Sequence, residues 1–226
     1  MKVMVVIPAY NEEKNIYKVV NEVKSNNSEV DVVVINDGSS DCTGAEAQRA
    51  GAFVINLPQN LGIGGAVQTG YIYASRRGYD AVIQVDGDGQ HDPKYLPRLI
   101  SSIEKDEADI VIGSRFAKKT GYEASKMRRL GISFFSKLVS FVCRRDFFDT
   151  TSGYRAASKK VIEMFARYYP KDYPEVETIV YASKRKIRIK EIPVNMKKRQ
   201  GGKSSITPLK SIYYMIKVTC AILLQP

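Results

Sequence analysis

The 226-residue sequence predicts an α/β fold, with a mostly parallel sheet between two layers of helices and basic amphipathic helices towards the C-terminus. Three observations predict it. Short β-branched runs alternate with segments of helical spacing as far as residue 114, glycine- and acid-rich turns follow the apolar runs, and the charge reverses between the two halves. Residues 1–114 hold 10 Lys+Arg and 16 Asp+Glu, whereas residues 115–226 hold 25 and 8. Such asymmetry suits a first half that faces a cation or ribose and a second half that faces phosphates or anionic lipid.

Val3–Ile7 is an apolar run of strand length, and Glu12–Ser25 places Ile16, Val19, Val20 and Val23 at helical spacing. Val30–Ile35 is a second buried strand, closed by the turn Asn36-Asp37-Gly38-Ser39-Ser40. Thr43–Ala50 is a short helix, Phe53–Ile55 a short strand and Gly62–Arg77 a helix that opens on glycines. Ala81–Val85 is a strand, Pro93–Glu104 a helix with proline at its start, and Asp109–Ile112 another strand. Parallel strands joined by right-handed crossovers bind ligands at their carboxyl ends, which selects the loops after Ile7, Ile35, Val85 and Ile112.

Beyond residue 115 the rhythm breaks. Ser125–Val142 is helical, with Leu130, Phe134, Leu138, Phe141 and Val142 as an apolar stripe among Lys126, Arg128, Arg129 and Lys137. Ile187–Val194 alternates like a strand, and Gln200–Ser205 is a glycine- and serine-rich loop. Thr207–Leu224 is an amphipathic helix whose Tyr213-Tyr214 pair, beside Lys210 and Lys217, suits either plain core or a membrane interface.

Composition narrows the class. A chain 44% hydrophobic and 26% charged is not disordered. No apolar run reaches the ~18–20 residues of a membrane-spanning helix. The first residues, MKVMVVIPAYNEE, do not follow a signal-peptide pattern. Cys42, Cys143 and Cys220 are odd in number and far apart; they read as apolar fillers in a reducing cytosol.

The strongest chemical signal is Gln84-Val85-Asp86-Gly87-Asp88-Gly89-Gln90-His91, at the end of a predicted strand. Two carboxylates one residue apart reach a single hard cation, and Mg²⁺ and Mn²⁺ share oxygen ligands with a substrate diphosphate. An EF-hand is excluded because the glutamate it needs at residue 97 is Pro97, and a DxDxT phosphatase motif because residue 90 is Gln90. Taken alone, the same Asp-Gly pairs also make an ordinary turn. Pro8-Ala9-Tyr10-Asn11-Glu12 and Asn36 to Asp41 bring acids to two further strand ends, where Asp37 suits the N–H of a base and Glu12 ribose hydroxyls; turns and helix caps use the same residues. Asn60 to Ala66 fails the dinucleotide fingerprint, because Val67 takes the third glycine position, and lacks the P-loop lysine. Its glycines suit tight helix–sheet packing or a phosphate at a helix N-terminus. His91 suits a loop hydrogen bond or the outer shell of a metal.

Together, PAYNE (8–12), NDGSSD (36–41), NLGIGGA (60–66), VDGDGQHDP (85–93), GSR (113–115), SGYR (152–155) and RQGGKS (199–204) resemble the inverting family-2 nucleotide-sugar glycosyltransferases of GT-A fold. Within that family they are most similar to the polyprenyl- and dolichyl-phosphate sugar synthases. The resemblance implies a three-layer α/β/α GT-A domain over residues 1–206, with a nucleotide-sugar half (1–114) and an acceptor half (115–206), then an interfacial helix at 207–226. It implies a UDP- or GDP-linked sugar on Pro8, Tyr10, Glu12, Asp37 and Asp86, and Mg²⁺ or Mn²⁺ on Asp86, Asp88 and Gln90. Arg115, Arg129, Ser133, Arg199 and Ser204 match residues that hold the phosphate of a polyprenyl (undecaprenyl or dolichyl) phosphate acceptor. Asp88, Asp149 and Glu177 are the implied catalytic residues: Asp149 lies where relatives carry an acid near the reacting centre. The stretch Pro174-Glu175-Val176-Glu177 falls where many relatives place an aspartate base.

The expected reaction is metal-dependent transfer of a monosaccharide to the lipid phosphate with inversion. A phosphate monoester, with a second pKa of about 6, is already ionised near neutrality and needs arginines more than a base. The alternative acceptor is a hydroxyl of a glycan or protein, for which a base is essential. A nucleic-acid-binding protein finds no helix-turn-helix, zinc or RNP pattern here and leaves the acidic loops without a role. The expected location is the cytoplasmic face of a membrane, reached through the basic half, its helices or a small membrane protein partner; a homo-oligomer is compatible with the sequence.

Overall fold

The computed structural model describes residues 1–117, 126–171, 173–197, 215 and 217–222. Its strands are β1 (Val3–Ala9), β2 (Asp31–Asn36), β3 (Phe53–Asn56), β4 (Ala81–Gln84), β5 (Ile110–Ser114), β6 (Arg155–Ser158) and β7 (Ile189–Pro193). They form one sheet in the order β3-β2-β1-β4-β6-β5-β7. The helices are α1 (Ile16–Asn26), α2 (Thr43–Arg49), α3 (Gly62–Arg76), α4 (Leu96–Glu104), α5 (Lys126–Cys143), α6 (Lys159–Arg167) and α7 (Pro174–Lys184).

The alternation of side chains along β1 builds the layers. Val3, Val5, Ile7 and Ala9 pack with α1, α2 and α4, while Met4 and Val6 pack with α3, α6 and the buried faces of α5 and α7. A strand buried on both faces reads as an unbroken apolar run, which is why Val3–Ile7 is legible in the sequence. Helix α3 approaches closely enough that a Cβ at Gly70 would lie 2.4 Å from Val6 Cγ2, and one at Gly64 would lie 2.2 Å from the Lys171 carbonyl oxygen. Packing is therefore the job of these two glycines.

β6 is antiparallel to both β4 and β5, and every other pairing in the sheet is parallel. This strand, with α6 and α7, is what the sequence pattern does not announce. Four residues, Arg155–Ser158, begin with a charge and carry no β-branched run. Their reversal matters for the site, because the start of an antiparallel strand lies at the carboxyl edge of its parallel neighbours. Gln84, the last residue of β4, pairs with Arg155, the first of β6.

Smaller departures have local causes. Residues 12–15 form a turn closed by Asn15 and Ile16 N–H groups on the Glu12 carbonyl, so α1 starts at Ile16. Pro93–Tyr95 is a 3₁₀ turn before α4, capped by Asp92, which accepts from Lys94 N–H. The predicted stripe of α5 splits: Phe135 and Val139 are buried with Leu138 and Val142 against the core, while Leu130, Phe134 and Phe141 point outward, Phe141 at 82% exposure. Residues 130, 134 and 141 lie on a helix face separate from 135, 139 and 142, and both faces are apolar. Cys42 and Cys220 are exposed rather than apolar fillers; Cys143 is half-buried, and all three are free. Of the 207–226 segment, Val218 and Ile222 are described and buried in the core. Leu209, Ile212, Tyr213, Tyr214, Ile216 and Leu223 lie outside the described residues. Among the described residues, no helix is long and apolar enough to cross a membrane.

Candidate active site

Four parallel strands end at one edge, and their loops bring the predicted donor residues together. Pro8 lies in β1 opposite Ile35, past the end of the β1–β4 ladder, where a missing N–H costs no pairing. Tyr10 is half exposed, and Glu12 holds Asn15 Nδ2 at 2.7 Å while its own N–H donates to Thr43 Oγ1 at 2.8 Å. Asp37 is buried; its N–H donates to the Ala9 carbonyl at 2.9 Å and its Oδ1 accepts from Leu61 N–H at 2.7 Å. Gly38 adopts φ +67°, and a Cβ there would lie 2.6 Å from Asn60 N, so the turn requires glycine.

The carboxylate turn is fixed from three sides. Asp86 N–H donates to His91 Nδ1 at 3.0 Å, which places the ring proton of neutral His91 on Nε2, 3.5 Å from Asp86 Oδ2. His91 is buried and stacked on Tyr154 with ring centroids 4.7 Å apart. Its role here is the loop hydrogen bond. Gln84 Nε2 donates to Asp86 Oδ1 at 3.2 Å, and Asp88 Oδ1 accepts from Gln90 N–H at 3.0 Å. Gly153 closes the third side, since a Cβ there would stand 3.2 Å from both Asp86 carboxylate oxygens.

Among the described residues, no cluster of three His, Cys, Asp or Glu side chains is shaped to hold a metal alone. Two oxygen-bearing carboxylates from one turn, half exposed, are nevertheless the donor set of a cation that takes its remaining ligands from water and substrate phosphates. The residues fit Mg²⁺ or Mn²⁺ shared with a diphosphate.

On the acceptor side the predicted residues separate. Arg115 is buried and spent on Asp149: its Nε donates to Oδ2 at 2.7 Å, its Nη2 to Oδ1 at 2.6 Å and its backbone N–H to Oδ2 at 2.9 Å. Nη2 also donates to Thr151 Oγ1 at 2.7 Å. Arg129 and Ser133 are exposed on α5 and line a cavity of about 840 Å³ together with Phe116, Lys137, Phe147 and Phe148. The cavity is mostly apolar, with Arg129, Lys137 and Asp146 as its charged lining, and it starts beside the Arg115–Asp149 pair, because Phe116 and Phe148 are their chain neighbours. Arg199 and Ser204 lie outside the described residues.

Glu191 is not singled out by the sequence, and the roles of Arg155 and Glu175 are not legible in the motifs that contain them. Glu191 of β7 accepts the N–H groups of Phe148 and Asp149, both at 2.8 Å, and so aims the Asp149 loop. Arg155 begins β6 and pairs with Gln84, two residues before Asp86. Glu175 and Glu177 both lie in the first turn of α7, and the Glu175 carboxyl is shifted. Burial and the nearby Asp86 charge push its pKa up, against the pull of Arg155 and Arg115.

Comparison with known proteins matches this geometry. The sequence model of Glycosyl transferase family 2 covers residues 4–165. The chain is 30% identical to polyprenol monophosphomannose synthase of Mycolicibacterium smegmatis, over 96% of this chain and 85% of that one. It is also 30% identical to the UDP-N-acetylglucosamine–dolichyl-phosphate N-acetylglucosaminyltransferase of Methanococcus voltae, over 85% of this chain and 84% of that one. In fold it resembles glucosyl-3-phosphoglycerate synthase from Mycobacterium tuberculosis, solved with Mn²⁺, uridine diphosphate and phosphoglyceric acid. That match has a TM-score of 0.74 at 21% identity and covers 99% of this chain and 77% of that one. With the acid-bearing strand ends, the reversed β6 and the Asp-Gly-Asp turn in place, the chain belongs to glycosyl transferase family 2, as a glycosyltransferase of GT-A fold.

Proposed function

We propose that this glycosyltransferase moves a monosaccharide from a nucleotide sugar to a polyprenyl phosphate, with inversion, at a membrane surface. The observation that carries the reading is the juxtaposition at the sheet edge. The Asp86-Gly87-Asp88 turn stands beside Gly153, and a mostly apolar cavity that Arg129 and Lys137 help to line opens next to Arg115 and Asp149.

Asp37, Glu12, Pro8 and Tyr10 bind the nucleoside, with Asp37 accepting from the base and Glu12 from the ribose. Asp86, Asp88 and Gln90 hold Mg²⁺ or Mn²⁺, which when bound supplies charge stabilisation to the departing diphosphate. Arg129 and Ser133, joined by Arg199 and Ser204, orient the acceptor phosphate so that its oxygen faces the anomeric carbon on the side opposite the diphosphate. Arg115 contributes N–H direction rather than net charge, because Asp149 neutralises it. No proton has to be removed from an ionised phosphate, so Glu175 and Glu177 serve the donor sugar by accepting its hydroxyls. The cavity along α5 takes the first isoprene units. The outward Leu130, Phe134 and Phe141, flanked by Lys137, Arg144 and Arg145, lie at the head-group level of an anionic membrane. We further propose residues 1–206 as the transferase unit and 207–226 as a segment at the membrane.

The test is direct. The protein is incubated with Mn²⁺, undecaprenyl phosphate and labelled nucleotide sugars, and label is sought in the organic phase. Lipid-borne label that disappears in Asp88→Ala supports the reading; label on a water-soluble glycan, with none on lipid, replaces it by hydroxyl transfer.

A further inference from the structure

Arg155 is 6% exposed, and no described carboxylate forms an ion pair with it. Its three hydrogen bonds go to neutral acceptors. Nε donates to the Ser152 carbonyl at 2.7 Å, Nη2 to the Thr150 carbonyl at 3.1 Å and Nη1 to Thr178 Oγ1 at 2.7 Å. Thr178 Oγ1 in turn donates to the Pro174 carbonyl at 2.5 Å. A buried cation facing neutral groups is expensive, and an apolar side chain of similar size would serve packing alone at lower cost. What the guanidinium does here is join two segments that share no other described side-chain bond. One is the 150–153 stretch, which follows Asp149 and presses Gly153 against Asp86. The other is the first turn of α7, which carries Glu175.

We propose that Arg155 is a positioning residue of the transfer centre, its fork fastening the 150–153 stretch to the N-terminus of α7 and so setting Asp86 and Glu175 relative to each other. The proposal rests on the glycosyltransferase reading and extends it to a residue that touches neither substrate. Lysine cannot take over, because a point charge on a flexible stem does not hold three acceptors in one plane. The field of the same guanidinium reaches Glu175, Tyr71 and Tyr169, as a cation held at this junction should.

The experiment uses the full chain, Mn²⁺, undecaprenyl phosphate and the nucleotide sugar that the wild type transfers. Arg155→Lys is expected to lower kcat about tenfold or more, with KM for both substrates within about threefold. Thr178→Val, which cuts the fork from its other end, is expected to give the same split. The double variant should be no worse than the poorer single one, because both remove one link. Thr178→Ser, which keeps the hydroxyl, should restore kcat. Amide hydrogen exchange should quicken in residues 150–153 and 174–178 of both variants and stay unchanged in β1 and β2. Folded variants with wild-type kcat overturn the proposal, as do kcat losses that multiply in the double variant, or losses with no change in exchange. Should the wild type load no lipid, the acceptor reading fails, and the exchange measurement alone decides the fork.

Discussion

Arg115 and Asp149 form a two-pronged ion pair, Nε to Oδ2 at 2.7 Å and Nη2 to Oδ1 at 2.6 Å, in which neither side chain is more than 4% exposed. The pair bridges the end of β5 and the loop that leads to β6. It closes the gap between a strand that reads easily from the sequence and a strand that does not.

Removing one member of such a pair leaves the other charge buried without a partner. Asp149→Ala should therefore lower the free energy of unfolding by about 3–5 kcal/mol. Urea denaturation at neutral pH reads it. A loss below about 1 kcal/mol would mean that Arg115 finds water or another acceptor at once, and that the pair is not what holds the loop.

Gly153 has no positive φ to protect, so its substitution tests proximity alone. A methyl group in Gly153→Ala would press on Asp86 Oδ1 and Oδ2 at 3.2 Å and on Gln84 Nε2 at 3.0 Å. Sugar transfer should fall about tenfold or more, with a stability change of roughly 1–3 kcal/mol. Unchanged kinetics in a folded Gly153→Ala protein would separate Asp86 from the reaction.

Glu191 links stability to pH. Burial pushes its carboxyl above the ordinary 4.5, while the N–H groups of Phe148 and Asp149 and the Ser114 hydroxyl pull it back and the Asp149 charge pushes it up further. The native state then holds this proton more tightly than the unfolded chain, so stability falls as pH rises from about 4.5 through the raised value. Glu191→Gln should flatten that limb of a stability-against-pH curve. Part of the slope should survive, because Glu175 is shifted the same way.

Phe141 offers a test of membrane contact that leaves the cavity alone, since it is exposed on α5 and does not line that cavity. Phe141→Ser should weaken binding to vesicles of anionic phospholipid by about threefold to tenfold, given ~25 cal/mol for each Å² of apolar surface left in water. Sedimentation with vesicles reads the effect. Transfer to a short, water-soluble prenyl phosphate should be unaffected.

Much of the donor half is legible in the amino-acid sequence. β1, β2 and β4 are buried on both faces, so their residues are apolar without interruption, and each run stops at a turn whose Gly, Asp and Asn residues announce themselves. The acids at those stops fall together because parallel strands send their carboxyl ends to one edge. The acceptor half is less legible. β6 is four residues long and lies between neighbours that bury it whatever its own propensity, and on α5 two apolar faces look like one until the core chooses between them.

The sequence by itself determined the α/β class, the carboxyl-edge loops and the Asp-Gly-Asp turn, since these follow from periodicity and from turn chemistry within a few neighbouring residues. Only the tertiary structure decided that Arg115 belongs to Asp149 and that Arg155 joins the 150–153 stretch to the first turn of α7. Arg115 and Asp149 are 34 positions apart in the chain and Arg155 and Thr178 are 23 apart, and a reversed strand brings them to one edge. No local pattern records such a meeting, because it depends on which strand the sheet accepts next.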